Sequence, residues 1–94
     1  MTVTTAVTRR LGLDVPIIQA PMVGAASVEM VIAASNAGAL GSFGAAYTQP
    51  DALREMIREI RAGTERPFGV NLFVPAPSAV TEAEVAKANA ALAP

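Results

Sequence analysis

Cysteine and histidine are both absent from this sequence of 94 residues. Without cysteine the chain can form no disulfide and offers no thiolate to a metal, and the lack of disulfides agrees with a reducing, cytoplasmic environment. Without histidine it lacks the commonest general base of enzymes and the commonest metal ligand of proteins. We therefore expect no metal site and no catalytic side chain among these residues.

An excess of charge of either sign is also missing. Lysine and arginine together number 7, aspartate and glutamate number 8, and the formal net charge is −1. Such a balance leaves no basic surface for nucleic acid or for an anionic membrane. No apolar run approaches the roughly 20 residues that cross a bilayer. A nucleic-acid or membrane partner is therefore not expected, and a small-molecule ligand is.

Hydrophobic side chains, in contrast, are abundant: they make up 52% of the residues, against 16% that are charged. This composition, with a mean hydropathy of +0.42, excludes a disordered tail and indicates a packed interior. A domain of this length buries only roughly 60% of its unfolded surface, so much apolar area would stay exposed if the chain stood alone. We therefore predict that residues 1–94 are a portion of a larger domain.

Short apolar runs alternate with helical patterns along the chain. In one of the helical patterns apolar residues recur at spacings of three, four and seven, which predicts a buried stripe of Leu53, Met56, Ile57 and Ile60. The predicted elements are, in order, a strand over 17–20, a helix capped by Ser27 and closed by Gly38, a strand over 40–43, a helix capped by Thr48 and ended by Gly63, a strand over 68–73, and a helix that opens at a Thr81–Glu84 capping box.

This alternation predicts an α/β fold with a parallel sheet. Consecutive strands that are joined by helices must run parallel, through right-handed crossovers. A parallel sheet of three strands needs cover on both faces, and two crossover helices cannot supply it. We therefore expect about three βα units of an incomplete domain. In such folds small molecules bind at the carboxyl ends of the strands.

Two amide side chains lie where predicted strands end. Gln19 precedes Ala20-Pro21-Met22, and Asn71 lies within an otherwise apolar run. A buried amide costs free energy unless it is hydrogen-bonded, so each should have a definite partner. Gln19 either caps a neighbouring carbonyl or belongs to a turn whose small residues let a flat ligand approach the main chain. Asn71 either bridges adjacent strand ends or presents a donor and an acceptor to a heteroaromatic ring.

Three segments together resemble one known family. Pro16–Met22, Ser35–Gly41 and Arg66–Pro75 are similar, in order and in spacing, to the N-terminal part of nitronate monooxygenase, formerly called 2-nitropropane dioxygenase. The resemblance covers about Leu11 to Pro75. It implies a (β/α)₈ TIM barrel with FMN at the carboxyl ends of its strands. The activity it implies is the oxidation of alkyl nitronates by O₂ to a carbonyl compound and nitrite.

The same resemblance implies roles for particular residues. Ala20, Pro21 and Met22 would lie against the isoalloxazine, largely through main-chain groups, and Asn71 would hydrogen-bond the flavin. The active-site histidine of the family belongs to a later strand, and this sequence contains none. We therefore expect residues 1–94 to be the N-terminal portion of a single FMN-binding barrel, with the catalytic base beyond Pro94.

Two alternatives to this function are open from the sequence. A flavin-dependent enoyl-ACP reductase-like barrel shares the opening motifs but takes electrons from a nicotinamide, and Asn71–Pro75 favours the monooxygenase over it. The other alternative is a truncated product without catalysis, for example a subunit that completes its barrel with a complementing chain or as a homo-oligomer. The exposed sheet edges of such a fragment predict aggregation and no retention of FMN.

Overall fold

The computed structural model describes residues 2–94, and its helices and strands alternate as the sequence predicts. The elements are α1 (Ala6–Leu11), α2 (Val28–Asn36), β1 (Gly41–Gly44), α3 (Pro50–Gly63), β2 (Phe68–Asn71) and α4 (Glu82–Leu92). None of the helices in the described part of the chain is long and apolar enough to cross a membrane.

The sheet is parallel, which confirms the predicted direction of the strands. β1 pairs with β2 in a register that sets Gly41 opposite Phe68 and Gly44 opposite Asn71. The predicted first strand lies parallel on the other side of β1, but its pairing is a single bridge between Ile18 and Leu40. The prediction of a strand over 17–20 was therefore too long, because the regular ladder stops after Gln19.

The core lies between one face of this sheet and the two crossover helices. Val31 of α2 and Ile60 of α3 are completely buried and form a cluster with Phe43 and Ala45. Leu53 and Met56, from the predicted stripe of α3, pack against this cluster, whereas Ile57 is half-buried. Helix α2 approaches β1 so closely that a Cβ at Gly41 would overlap the main chain of α2.

Two boundaries of helix α3 differ from the prediction. The helix begins after Gln49, whose side chain makes no capping hydrogen bond, so the expected cap at Thr48 was wrong. At the other end Gly63 is still helical and Thr64 follows as the C-cap. A Cβ at position 63 would overlap the side chain of Ile32, which would have to move to accept it.

The remaining helix ends follow the predicted chemistry. The Ser27 hydroxyl accepts a hydrogen bond from the N–H of Met30, and Gly38 has the positive φ of +94° expected after the end of α2. Thr81 and Glu84 form the predicted capping box of α4. No residue of α4 is buried, so this helix is joined to the sheet by the chain alone.

Candidate functional site

The three parallel segments end at one edge of the sheet, where their last residues lie side by side. Gly44 is the partner of Asn71 in the β1–β2 register. The main chain of Met22 and Val23 lies over one face of Gly44, because a Cβ at Gly44 would be 3.1 Å from the Val23 nitrogen and 3.4 Å from the Met22 carbonyl carbon. The fold thus brings both Met22 and Asn71 next to the same glycine.

An open depression of about 240 Å³ lies at this edge. It is lined by Ile18, Pro21, Ser42, Gly69, Val70 and Asn71. Successive residues of a strand point to opposite faces, so Ser42 and Gly69 face away from the core that holds Phe43. The lining residues carry no acid, base or thiol. This surface can therefore bind and orient a ligand, but it offers no group that transfers a proton.

Gln19 does not point into the depression, because its amide is hydrogen-bonded to the main chain of β1. The Ser42 N–H donates to Gln19 Oε1 at 3.0 Å, and Gln19 Nε2 donates to the Ser42 carbonyl, also at 3.0 Å. Nε2 also donates to the Ala20 carbonyl at 2.6 Å. The interpretation of Gln19 as a cap on a neighbouring carbonyl is confirmed.

The Asn71 side chain has the opposite environment. Asn71 is exposed, and its main-chain carbonyl accepts a hydrogen bond from the Ala45 N–H at 3.0 Å. Among residues 2–94 its side-chain amide has no hydrogen-bond partner, so it does not form the bridge between strand ends that was one of its two predicted roles. Both its donor and its acceptor are available to a ligand in the depression.

The other three residues predicted at the site occupy different positions. Pro21 lines the depression. Ala20 and Met22 are exposed next to it without lining it. Met22 is 42% exposed, although its main chain packs over Gly44. The structure thus places all three on one turn beside the depression, with a single side chain directed into it.

Ser42 is a lining residue that the sequence did not single out. Its residue surface is only 6% exposed, and no hydrogen bond involves its hydroxyl in the described part of the chain. The signal was present, since alternation along 40–43 puts Ser42 on the face opposite Phe43, but nothing in the sequence showed that this face was open. Ser42 and Asn71 are the two polar side chains of the depression.

A larger depression, of about 410 Å³, lies at the opposite edge of the sheet between the ends of α2 and α3. Most of its polar side chains, those of Asn36, Arg61, Thr64 and Arg66, already have partners within the chain. The Asn36 amide donates to the Gly63 carbonyl at 3.1 Å and accepts from the Thr64 hydroxyl at 2.6 Å. Arg61 lies over the Phe68 ring, 4.6 Å from its centroid. We interpret this edge as structural, because parallel α/β folds bind ligands at the carboxyl ends of their strands.

Parallel strands, helical crossovers and a depression at the carboxyl edge define the class of the protein: it is the N-terminal part of a (β/α)₈ barrel. Two solved structures share this fold. FabK from Thermotoga maritima matches with a TM-score of 0.75 and 41% identity, over 81% of this chain and 24% of that one. Nitroalkane oxidase from Streptomyces ansochromogenes matches with a TM-score of 0.69 and 43% identity, over 79% and 21%.

The sequence comparison narrows the class to a family. The profile of the nitronate monooxygenase family matches residues 5–94, so the chain belongs to this family. It is 42% identical over 87 residues to a probable nitronate monooxygenase of Staphylococcus haemolyticus, covering 93% of this chain and 24% of the relative. It is 47% identical over 68 residues to the nitronate monooxygenase of Paraburkholderia phytofirmans, covering 72% and 19%. The chain thus spans a quarter or less of the length of these curated relatives.

Proposed function

We propose that residues 1–94 form the N-terminal portion of a single FMN-binding barrel that oxidises alkyl nitronates with O₂ to a carbonyl compound and nitrite. Family membership and the nitroalkane oxidase neighbour support this reaction. The structural observation that carries it is the depression at the carboxyl edge, with Pro21 on one side and Asn71 on the other. The predicted cytoplasmic location belongs to the same proposal.

The depression suits one face of a flavin. An isoalloxazine is flat, with an apolar benzenoid end and a polar pyrimidine end. Gly69 carries no side chain on the open face, and a Cβ there would lie 3.0 Å from Ser42 Oγ and begin to fill the depression. Ile18 supplies apolar contact, and the Asn71 amide can donate and accept at the same ring edge. These groups therefore fit the cofactor.

In the proposed protein Ala20, Pro21, Met22 and Asn71 hold the flavin. FMN, when bound, supplies the redox chemistry, and the side chains around it set its orientation and its access to water. The turn at residues 20–22 would cover part of the ring system through main-chain atoms, and the Asn71 amide would fix the rotation of the ring by hydrogen bonding. The nitronate and O₂ are the proposed small-molecule partners.

Two further functions fall to other parts of the proposed barrel. This sequence contains no histidine, and no titratable side chain of residues 2–94 lines the depression, so the base that acts on the substrate has to come from another strand. Barrels of this class commonly bind a phosphate on the loops after their seventh and eighth strands. A complementing chain or a second copy could supply these elements if they are not in the same polypeptide.

The test uses the full-length protein. After it has been loaded with FMN, we expect O₂ consumption and nitrite release with an alkyl nitronate, and no enoyl-thioester reduction with NADH. Asn71→Ala should weaken FMN binding by about tenfold, because one hydrogen bond contributes roughly 0.5–1.5 kcal/mol and 1.4 kcal/mol corresponds to a factor of ten. Asn89→Ala, on the exposed face of α4, is the matched control and should leave the affinity unchanged.

The enoyl-ACP reductase-like alternative is decided by the same assay. FabK and nitroalkane oxidase are similar to this chain at nearly the same identity, and fold similarity alone does not distinguish functions. NADH-driven reduction of an enoyl thioester, with no turnover of nitronate, would establish the alternative in place of our proposal.

The non-catalytic alternative is tested on the 94-residue polypeptide itself. Its apolar side chains are unusually exposed at the carboxyl edge, with Leu72 at 59%, Phe73 at 65% and Val74 at 91%. We expect this polypeptide to aggregate and to release FMN on gel filtration. Stoichiometric retention of FMN by the purified polypeptide would contradict that expectation.

A further inference from the structure

We propose that Gln19 is a positioning residue: its side-chain amide takes the place of the main-chain pairing with Ser42 that Pro21 interrupts, and so holds the turn at residues 20–22 out of the sheet and beside the depression. The part of this inference that concerns FMN binding rests on the proposed function. The structural half, that the Gln19 amide holds the turn, rests on the hydrogen bonds alone.

The regular ladder between the first segment and β1 stops for a chemical reason. The Leu40 N–H donates to the Ile17 carbonyl at 3.0 Å, and the Gln19 N–H donates to the Leu40 carbonyl at 2.9 Å. In a parallel ladder the next residue to pair would be Ser42: its N–H would donate to the Gln19 carbonyl, and its carbonyl would accept from the N–H of residue 21. Proline has no N–H, so the second of these bonds cannot form.

The Gln19 amide occupies the place of the missing peptide group. Its Oε1 accepts from the Ser42 N–H and its Nε2 donates to the Ser42 carbonyl, both at 3.0 Å, which matches the main-chain bonds of the preceding step. A buried carbonyl or N–H that lost these partners would cost about 1–3 kcal/mol. The Gln19 side chain therefore satisfies both main-chain groups of Ser42 in β1. The main chain of residues 20–22 does not have to pair with β1.

The freed turn is then fixed from two directions. The second hydrogen of Gln19 Nε2 bonds the Ala20 carbonyl at 2.6 Å, at the start of the turn. At its end, the main chain of Met22 and Val23 rests on Gly44, where no Cβ intervenes. The same amide also fixes the main chain of Ser42, whose hydroxyl faces the depression. Gln19 thus acts on a ligand through the turn and through Ser42, without lining the depression itself.

The experiment compares Gln19→Ala, Pro21→Ala and the double variant in the full-length protein. Hydrogen exchange without ligand reports the Ser42 amide, and FMN titration reports the site. Gln19→Ala should speed exchange at Ser42 by about tenfold, since the Ser42 N–H loses its acceptor, and should weaken FMN binding, since the turn loses its hydrogen bonds to Gln19. Gln49→Ala is the matched control, because Gln49 is exposed and its side chain makes no capping bond.

The double variant separates positioning from mere stabilisation. With an N–H restored at position 21, the main-chain ladder can continue to Ser42. We expect slow exchange to return at Ser42, the new amide at position 21 to become protected, and the melting temperature to recover. FMN affinity and the visible circular dichroism of the bound flavin should nevertheless stay altered, because the turn is now drawn into the sheet.

Two outcomes would contradict the inference, and a third would contradict the proposed function on which part of it rests. Unchanged exchange at Ser42 in Gln19→Ala would overturn the structural half. Recovery of both slow exchange and FMN affinity in the double variant would show that Gln19 only stabilises the sheet. If the wild-type protein bound no FMN, the proposed function would fail, and the exchange at Ser42 and at position 21 would still decide whether the amide holds the turn.

Discussion

Replacing Gly41 by alanine tests the closest approach in the fold, that of α2 to β1. A Cβ at Gly41 would overlap the carbonyl oxygen of Val31 and would lie 2.7 Å from Ser35 Oγ and 2.9 Å from the Val31 carbonyl carbon. The two Val31 atoms belong to the main chain of a helix, so they cannot move by a change of rotamer. The whole of α2 would have to shift away from the sheet.

The expected loss of stability is about 3 kcal/mol. Overpacking of a core typically costs about 1–3 kcal/mol, and here the obstacle is rigid, which favours the upper end. The displacement also stretches the hydrogen bond from the Gly41 N–H to Ser35 Oγ, 3.2 Å long and buried, which adds about 0.5–1.5 kcal/mol. Against this, alanine lowers the entropy of the unfolded chain and regains about 0.4–1 kcal/mol.

Gly69→Ala is the matched control, on the neighbouring strand. Its Cβ would lie 3.0 Å from Ser42 Oγ, which can rotate, and 3.6 Å or more from its other neighbours. Both variants change the unfolded chain equally, so the difference between them isolates the contact with α2. Chemical denaturation of the full-length protein without FMN, followed by circular dichroism, measures it, because Gly69 lines the depression and bound FMN would add its own contribution. Loss of less than about 1 kcal/mol in Gly41→Ala, or equal losses in the two variants, would refute the reasoning.

Three further perturbations test other parts of the fold. Ile60→Ala should lower the free energy of unfolding by about 2–5 kcal/mol in a denaturation experiment, because Ile60 is completely buried. If Ile57→Ala, at a half-buried position, lowered it as much, the assigned core would be wrong. The N–H and hydroxyl of Thr81 donate to the Glu84 carboxylate and lower its pKa, so this contribution to α4 is present above the ordinary glutamate pKa and is lost as the pH falls through the lowered value. Amide NMR shifts of α4 should follow this titration, and Glu84→Gln, which removes the titrating carboxyl, should abolish that acid-dependent change; an unaltered titration in the variant would count against the box. Asp14→Asn should lower the free energy of unfolding by less than about 1 kcal/mol, since the side chains of its ion pair with Arg66, 2.8 Å apart, are 35–45% exposed. If the loss were the same in high salt, an ionic origin would be ruled out.

Much of the fold was predictable because local patterns and packing agree. The stripe of α3 predicted the burial of Ile60, and the capping residues Ser27 and Thr81 marked the starts of two helices correctly. The start of α3 was misplaced because proline is favoured in the first turn of a helix, which makes the residue before Pro50 the N-cap whatever its side chain. Thr48 instead donates its N–H to the Ala45 carbonyl in a turn.

Strand lengths were less predictable, because pairing depends on the neighbouring strand. Apolar character continues through Leu72 and Phe73, but β2 ends at Asn71, opposite the last residue of β1. Phe73 instead meets the Tyr47 ring edge-on, with centroids 6.3 Å apart. For the same reason the sequence could suggest that Gln19 caps a carbonyl, but not that Pro21 creates the need for it. Ser42 was missed because the exposure of a sheet face is a tertiary property.

The hydrogen bonds at the amino edge of the sheet have a consequence for how such a protein can diverge. Asn36 ties the end of α2 to Gly63 and Thr64, the Thr64 hydroxyl accepts from the Arg66 N–H at 3.1 Å, and Arg66 is paired with Asp14. This network lies at the end of the strands remote from Asn71. Substitutions around the depression can therefore leave the anchoring of helices to strands intact, because the two sets of residues lie at opposite ends of the strands.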